Sequence, residues 1–317
     1  MWSLEILHEF MMKEIFLYQI QYDDKSKPSD ESGFLTFDCR HNPEFLKREV
    51  AHLLRFYDEV VQYASDDSYF ALFSPKFNNK TGLSSEDVKQ FIDANPQQDI
   101  YLFNPYPMMT YRYFNVWEQL ENSHSELSGL AKNLFQQAKI DFDISVNHRN
   151  HNHQVVYCNY WVASKSFYDA FIPFVRLLDH TIDKMNDDEK AKYFEETNYI
   201  TTACVYPFIF ERVIVLYLFM NPQIQSLPYT FIGPFKGSYK LKNIEQNFYS
   251  SNLRKTFDLW EKQEHLSVEE LEEKFKIIHT ILYPKSRFKF VSSIEKRINM
   301  YKMDKFSDKI FTNHSVP

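Results

Sequence analysis

Short apolar stretches alternate with amphipathic ones along the first half of the chain, and this alternation limits the fold more than any other feature. Apolar residues at helical spacing after Asn42-Pro43 predict a helix over 43–64, and the capping pattern from Ser84 to Asp87 opens another. Strands that alternate with helices predict an α/β fold, a mixed sheet flanked by helices. The predicted strands are rich in aromatic and β-branched residues and cover 14–22, 69–73, 99–103 and 155–163.

The second half of the chain is predicted to be mainly helical. Ser164 can cap the helix that follows the fourth strand. We therefore expect an α/β core over 1–225 and a helical C-terminal region over 226–317 that packs on it. Further helices are predicted over 113–122, 126–138 and 207–220.

Composition excludes several classes of function. The chain has only five glycines among 317 residues, and the closest pair is Gly233 and Gly237. Rossmann and P-loop phosphate sites need several glycines within a few residues, so both are excluded. A net charge of −7 without a dense basic block excludes a duplex nucleic-acid binder. Cys39, Cys158 and Cys204 are widely spaced and odd in number, which favours a reducing compartment.

Hydropathy bears on location. The longest uninterrupted apolar run, 213–220, has eight residues, whereas a bilayer crossing needs about 20. The first residues lack the basic and apolar regions of a signal peptide. We expect a cytoplasmic protein, with peripheral contact at the inner membrane left open.

The first candidate site is the segment 73–82, which lies between a predicted strand and a capped helix. Ligands of open α/β sheets bind beyond the carboxyl ends of strands, where such a connection lies. Lys76 and Lys80 can hold a diphosphate as point charges, while Ser74 and Thr81 add hydroxyl donors. The alternative is an ordinary solvated loop.

Two further candidates are possible metal sites. Asp141 and Asp143 form a D-x-D, which suits Mn²⁺ or Mg²⁺ because hard cations prefer oxygen ligands. Three histidines, His148, His151 and His153, lie within six residues and can bind a transition metal. For both motifs the alternative is a polar surface loop.

Glu211 and Arg212 interrupt an apolar helix, and burying charge is costly unless the charges are paired or used. Glu211 is a candidate base for an acceptor hydroxyl. A structural ion pair explains the two residues equally well.

Amide and aromatic residues supply the remaining candidates. Asn159 is a polar residue in a predicted buried strand, and Asn104 follows another strand. Trp117, Glu118 and His124 combine an aromatic face with polar groups, as sugar-binding sites do.

Taken in order, these segments resemble bacterial glycosyltransferases that build surface polysaccharides (capsule, O-antigen or lipooligosaccharide) and have a GT-A-like fold. The resemblance implies a nucleotide-sugar donor at the carboxyl edge of the sheet and a saccharide or lipid-linked saccharide acceptor. Where such enzymes carry a metal-binding D-x-D, this chain has Phe103-Asn104-Pro105. Dependence on Mn²⁺ or Mg²⁺ is therefore open, and Lys76, Lys80 and Arg212 are candidates to stabilise the leaving diphosphate. The stretches that carry the resemblance are 15–19, 73–77 with 80–84, 99–105, and 159–163 with 207–212.

The leading hypothesis assigns a role to each candidate. Glu211 and Arg212 are catalytic, and Trp117, Glu118 and His124 contact the acceptor. Two other functions stay open. One is a non-catalytic carbohydrate-binding or assembly protein, and the other is a hydrolase or phosphotransferase that uses Asp141, Asp143, His148 and His151 with a metal. The donor-binding set is Ser74, Lys76, Lys80, Thr81, Asn104 and Asn159.

Overall fold

Six strands form one mixed sheet in the order β2-β1-β3-β5-β4-β6. The computed structural model describes residues 13–123, 127–144, 148–197, 203–231, 235–263, 266–283 and 289–311. β5 runs antiparallel to both of its neighbours, and every other pair is parallel. The carboxyl ends of the five other strands therefore lie at one edge, beside the start of β5. The strands are β1 (Ile15–Gln21), β2 (Leu35–Asp38), β3 (Tyr69–Phe73), β4 (Ile100–Leu102), β5 (Trp161–Ser164) and β6 (Ser226–Pro228).

Burial explains the sequences of the strands. Every residue of β3, β4 and β5 is buried, which accounts for their almost continuous apolar and aromatic composition. In β2 only Phe37 is buried, because this strand lies at the edge of the sheet. The central strands were therefore visible in the sequence, whereas β2 was not predicted.

Helices connect the strands and cover the sheet. Those of the first half are α1 (Glu49–Glu59), α2 (Phe77–Thr81), α3 (Ser85–Ala94), α4 (Met109–Arg112), α5 (Val116–Ser123) and α6 (Leu127–Gln137). Those of the second half are α7 (Lys165–Asp183), α8 (Asp187–Phe194), α9 (Val205–Phe210), α10 (Val213–Met220), α11 (Asn243–Tyr249), α12 (Asn252–Trp260), α13 (Val268–Leu282), α14 (Lys289–Lys305) and α15 (Ser307–Phe311). Short 3₁₀ helices cover Asp30–Ser32, Phe45–Lys47 and Val61–Tyr63.

The predicted caps are confirmed. Ser84 accepts a hydrogen bond from the Asp87 amide while the Asp87 carboxylate accepts one from Ser84, which is the expected capping box at α3. The Ser164 hydroxyl accepts from the Phe167 amide at the start of α7. These caps fix where the chain leaves the sheet.

Three predicted boundaries were wrong. The helix expected over 43–64 is interrupted at Arg48, whose φ of 47° is not helical, so α1 begins only at Glu49. The strand expected over 155–163 is limited to β5, because Cys158 and Asn159 have φ values of 63° and 54°. The helix expected over 207–220 is split into α9 and α10 at the Glu211-Arg212 step.

The C-terminal region also differs from the expectation. The boundary expected after residue 225 falls directly before β6, which pairs with β4 in the same sheet. Tyr111 of α4 donates a hydrogen bond to Asp258 of α12, so the helices beyond the sheet share its core. Among the helices that the structure describes, none has the length and apolar composition needed to span a membrane.

Candidate functional site

A cleft opens at the carboxyl edge of the sheet, where the strand order switches. The chain leaves β1 for β2 on one side and later enters β3 on the other side, and such switch points are where open α/β sheets bind ligands. One cavity there has a volume of about 470 Å³, and an adjoining one of about 620 Å³ reaches toward the ends of β1 and β2. Both cavities are lined by Arg48, Glu49, Ser74 and Lys80, and together we call them the cleft.

The sequence-predicted segment 73–82 forms one wall of the cleft. Its centre is the short helix α2, whose Phe77 ring stacks on Phe73 with centroids 3.9 Å apart. Asn78 accepts a hydrogen bond from Gln19 of β1 and donates one to the Leu83 carbonyl. These contacts hold the segment in place, so the alternative of a loosely solvated loop was wrong for its buried part.

Lys80 is the partly buried cation of this wall. Its ammonium donates a hydrogen bond to the Cys158 sulfur at 3.0 Å and lies 5.8 Å and 5.9 Å from the ring centroids of Tyr106 and Tyr160. No carboxylate of the described residues lies within ion-pair distance of this ammonium. Burial by itself lowers the pKa of Lys80, but the interactions with Cys158 and Tyr160, including the hydrogen bond that the ammonium donates to the sulfur, leave the net shift of that pKa upward. Lys80 is therefore charged at neutral pH.

Cys158 connects Lys80 to the predicted catalytic pair. Its backbone N–H donates to Glu211 Oε1 at 2.7 Å, while its sulfur accepts from Lys80. Burial raises the pKa of the Cys158 thiol to about 12, so the sulfur is neutral at pH 7. A cation and a carboxylate are thus held on either side of one residue, and both line the cleft.

Arg212 fixes the position of Glu211. The guanidinium is 3% exposed and donates to the carbonyls of Val116 and Phe208 and to the Gln119 side chain. Its Nη1 also lies 3.4 Å from Glu211 Oε2. The structural ion pair that the sequence left open is present, and the Glu211 carboxylate nevertheless faces the cleft.

Backbone strain is concentrated at this site. Among the described residues, five that are not glycine have positive φ: Arg48, Gln97, Lys139, Cys158 and Asn159. Three of these five, Arg48, Cys158 and Asn159, line the cleft. Strained backbone conformations cluster at functional sites, so this distribution supports a functional role for the cleft.

The charge of the cleft is opposite in sign to that of the whole chain. Arg40 is neutralised by Asp24 and Asp38, but among the described residues four further cations line the cleft against two carboxylates. The cations are Arg48, Lys76, Lys80 and Arg212, and the carboxylates are Glu49 and Glu211. A positively charged cleft on a chain of net charge −7 favours an anionic ligand.

Four predicted site residues have structural roles instead. Thr81 is fully buried, and its hydroxyl donates to the Phe77 carbonyl. Asn104 is 6% exposed, and its Oδ1 accepts from the Tyr106 amide in a turn after β4. Trp117 is buried against Phe135. None of these three is among the residues that line the cleft, and their predicted ligand contacts stay predictions.

Glu118 is the fourth of these residues. Its carboxylate accepts a hydrogen bond from the Phe114 amide, and its own amide donates to Asn115 Oδ1. It therefore helps to cap α5 and does not line the cleft. His124, predicted with it as an acceptor contact, lies outside the described residues.

The predicted metal motifs do not come together. Asp141 and Asp143 are exposed, neither lines the cleft, and Asp143 forms an ion pair with Lys132 at 3.2 Å. His148 packs between the rings of Phe142 and Phe219. Within the described part of the chain, no three His, Cys, Asp or Glu side chains are grouped so that they could hold a metal ion.

The other two histidines of that run are also structural. His153 Nδ1 lies 3.0 Å from the Ser226 carbonyl of β6, and its amide donates to His151 Nδ1. Burial lowers the pKa of His151 to about 3 and that of His153 to about 4, so both rings are neutral. They hold the 148–154 segment against the edge of the sheet.

Several residues of the cleft were not predicted: Arg48, Glu49, Tyr106, Tyr157 and Cys158. Arg48 lies in a stretch with a clear helical pattern, which concealed the break in the backbone there. Cys158 stands next to the predicted Asn159. The position of these two residues inside an apolar run is the sequence feature that could have predicted Cys158 as part of the cleft. No family model matches the chain, and neither the curated proteins nor the solved structures contain a significant match.

Proposed function

We propose that this chain is a glycosyltransferase with a GT-A-like fold. In this proposal a nucleotide-sugar binds in the cleft and its sugar passes to a saccharide or lipid-linked saccharide acceptor during bacterial surface polysaccharide synthesis in the cytoplasm. The observation that carries the proposal is the pair formed by Lys80 and Glu211. Lys80, which has no carboxylate partner among the described residues, and Glu211 are both hydrogen-bonded to Cys158, at the edge of the sheet where open α/β proteins tend to bind ligands.

The two groups have complementary roles in the reaction. The acceptor hydroxyl attacks the anomeric carbon, the bond from that carbon to the phosphate oxygen breaks, and the nucleoside diphosphate leaves. Lys80 stabilises the charge that develops on the diphosphate, because a preorganised cation in a partly buried site acts strongly there. Glu211 accepts the proton of the acceptor hydroxyl.

The other residues of the cleft position these groups. Arg212 orients the Glu211 carboxylate, and Asn159 and Ser74 present polar groups to the same cavity. Lys76 lines the adjoining cavity and adds positive charge at its rim. The rings of Tyr106 and Tyr157 offer apolar faces of the kind on which sugars pack.

The GT-A resemblance also implies a divalent cation, and the donors of the cleft do not fit one. In the described part of the chain Glu49 and Glu211 are the carboxylates that line it, and Glu211 is already bound by the Cys158 amide and Arg212. Asp141 and Asp143 do not line the cleft. In this proposal Lys80 therefore compensates the charge of the diphosphate.

A thermal-shift panel of nucleotides and nucleotide-sugars tests the proposal. We expect nucleotide-sugars with one particular base to raise the melting temperature, because a ligand that binds only the folded state stabilises it by RT ln(1 + [L]/Kd). Lys80→Met should weaken that binding about tenfold or more, since a charged hydrogen-bond donor to phosphate is lost. Lys276→Met removes an exposed lysine of α13 and should respond like the wild type.

Two results would contradict the proposal. Silence of the wild-type protein across the whole panel would exclude nucleotide-sugar binding. A response to free saccharides alone would instead identify a non-catalytic carbohydrate-binding protein.

A further inference from the structure

The helices α14 and α15 carry two different faces over residues 297–311. The inner face packs on α12: the Asp304 carboxylate accepts from the Leu253 amide at 2.8 Å, and the Phe311 ring lies 5.5 Å from that of Phe257 and 5.7 Å from that of Trp260. The outer face is exposed and comprises Arg297, Ile298, Tyr301, Lys302, Lys305, Phe306, Asp308 and Lys309. We call these eight residues the outer stripe.

The outer stripe exposes large apolar side chains. Tyr301 is 69% exposed, Ile298 47% and Phe306 46%. The ammonium groups of Lys305 and Lys309 lie 5.8 Å and 5.7 Å from the centroid of the Phe306 ring. Aromatic side chains flanked by lysines are the composition of surfaces that insert into the headgroup region of a bilayer.

The charge of this region opposes that of the protein. Residues 289–311 contain six basic and three acidic residues, on a chain whose net charge is −7. Over 297–311 the acidic residues are Asp304, which accepts a hydrogen bond from the Leu253 amide, and Asp308, which belongs to the outer stripe. Four cations therefore face outward beside three exposed apolar residues.

A groove adjoins the stripe between α13 and α14. It has a volume of about 580 Å³, and its lining is largely apolar, with Ile277, Ile281 and Met303 contributing. Lys276 and Lys302 line it too, together with Glu273. An apolar groove with lysines beside it matches the acyl chain and phosphate of a phospholipid.

We propose that the outer stripe docks the protein on an anionic lipid bilayer, with α14 and α15 lying in the plane of the interface. Electrostatic attraction of the four cations and insertion of Tyr301, Ile298 and Phe306 act together, as stable interfacial binding requires two such contributions. This inference is independent of the proposed transfer reaction. Docking on the bilayer would place the protein on the same surface as a lipid-linked acceptor.

Vesicle co-sedimentation of the full-length protein tests the inference. We expect binding to vesicles that contain phosphatidylglycerol, weakening as salt rises, and little binding to pure phosphatidylcholine. Replacing Lys302, Lys305 and Lys309 together by glutamine should lower the partition coefficient about tenfold or more, because each basic residue contributes. Tyr301→Ser with Phe306→Ser should weaken binding at every salt concentration.

A control variant with the same change of net charge distinguishes an effect of the outer stripe from an effect of net charge alone. Lys25, Lys27 and Lys192 are exposed, and replacing all three by glutamine should leave vesicle binding unchanged. Equal binding to both lipids, no binding at low salt, or an equal loss in the control would each overturn the inference. The stripe variants should keep the nucleotide-sugar thermal shift of the wild type, so a failure here is distinct from a failure of the proposed reaction.

Discussion

Arg149 and Glu261 are two charged side chains with almost no exposed surface, at 2% and 1%. The Arg149 Nε lies 2.6 Å from Glu261 Oε1, and Nη1 donates to the carbonyls of Tyr113 and Phe114. Burial raises the pKa of Glu261 from its ordinary 4.5 to about 7, although Arg149 opposes the shift. Since the folded state binds this proton more tightly than the unfolded state does, the contribution of Glu261 to stability falls as pH rises from about 4.5 to about 7.

Removing Arg149 should therefore destabilise the protein in a pH-dependent way. Arg149→Met leaves the Glu261 carboxylate buried without its partner, which costs about 3–5 kcal/mol when the group is ionised. We expect this full decrease in the free energy of unfolding at pH 8. At pH 5.5 the decrease should be smaller, because Glu261 takes up a proton there. Urea denaturation at both pH values measures it. Arg176→Met breaks an exposed pair with Asp58 and is the control, with an expected loss below about 1 kcal/mol. An equal loss for Arg149→Met at both pH values would contradict this account.

At the scale of single residues, the sequence predicted charge in unusual surroundings better than it predicted burial. Glu211 was recognised because a charged residue inside an apolar run needs a partner or a purpose, and Lys80 because it lies between a predicted strand and a capped helix. Thr81 and Trp117 were assigned to the site by residue type alone, although packing places both in the core. Whether a side chain faces a cleft depends on contacts distant in sequence, and no local pattern contains them.

At the scale of elements, α2 is held by a close approach of two chain segments. A Cβ on Gly237 would lie 2.0 Å from the Lys80 carbonyl oxygen, and the Ser238 amide donates to the Asn79 carbonyl at 2.9 Å. Gly82, with φ of 74°, ends the helix and faces Lys236. The position of Lys80 in the cleft therefore depends on a glycine more than 150 residues away in sequence.

Gly237→Ala should displace α2 and weaken donor binding. We expect a fall in affinity for the responding nucleotide-sugar of about tenfold, as for loss of the Lys80 contact itself. Gly129→Ala is the matched control, because nothing lies within 4 Å of the added carbon and Gly129 is in α6. That control should bind donor normally and gain up to about 1 kcal/mol of stability. Isothermal titration calorimetry measures both affinities. Wild-type affinity in Gly237→Ala would show that the close approach of Gly237 to the Lys80 carbonyl does not position Lys80.

The elements that the sequence predicted well are those with a strong local pattern. β1, β3 and α3 lie where alternation, aromatic content and the capping box placed them. The fourth strand was predicted to be longer than it is. The apolar residues 155–157 are not in a strand but precede a turn whose residues have positive φ. Apolar composition alone does not distinguish a strand from a buried turn.

At the scale of the whole molecule, the α/β class could be predicted from the sequence. The complete set of strands in the sheet could not, since β2 and β6 were missed. β6 has three residues and joins β4 across more than 120 positions of sequence. Its placement depends on that pairing, for example the Tyr229 amide donating to the Leu102 carbonyl at 2.8 Å. The cleft likewise combines residues from 22 to 212, which only the folded sheet brings together.

The proposed catalysis by this cleft is tested most directly by Glu211→Gln. The glutamine carbonyl can still accept the short Cys158 hydrogen bond, and the substitution gives up the proposed base together with the longer contact to Arg212. We predict that release of nucleoside diphosphate from the responding donor falls about 10²–10⁴-fold, while the calorimetric Kd for that donor changes little. Release at the wild-type rate by Glu211→Gln with donor bound would contradict the account.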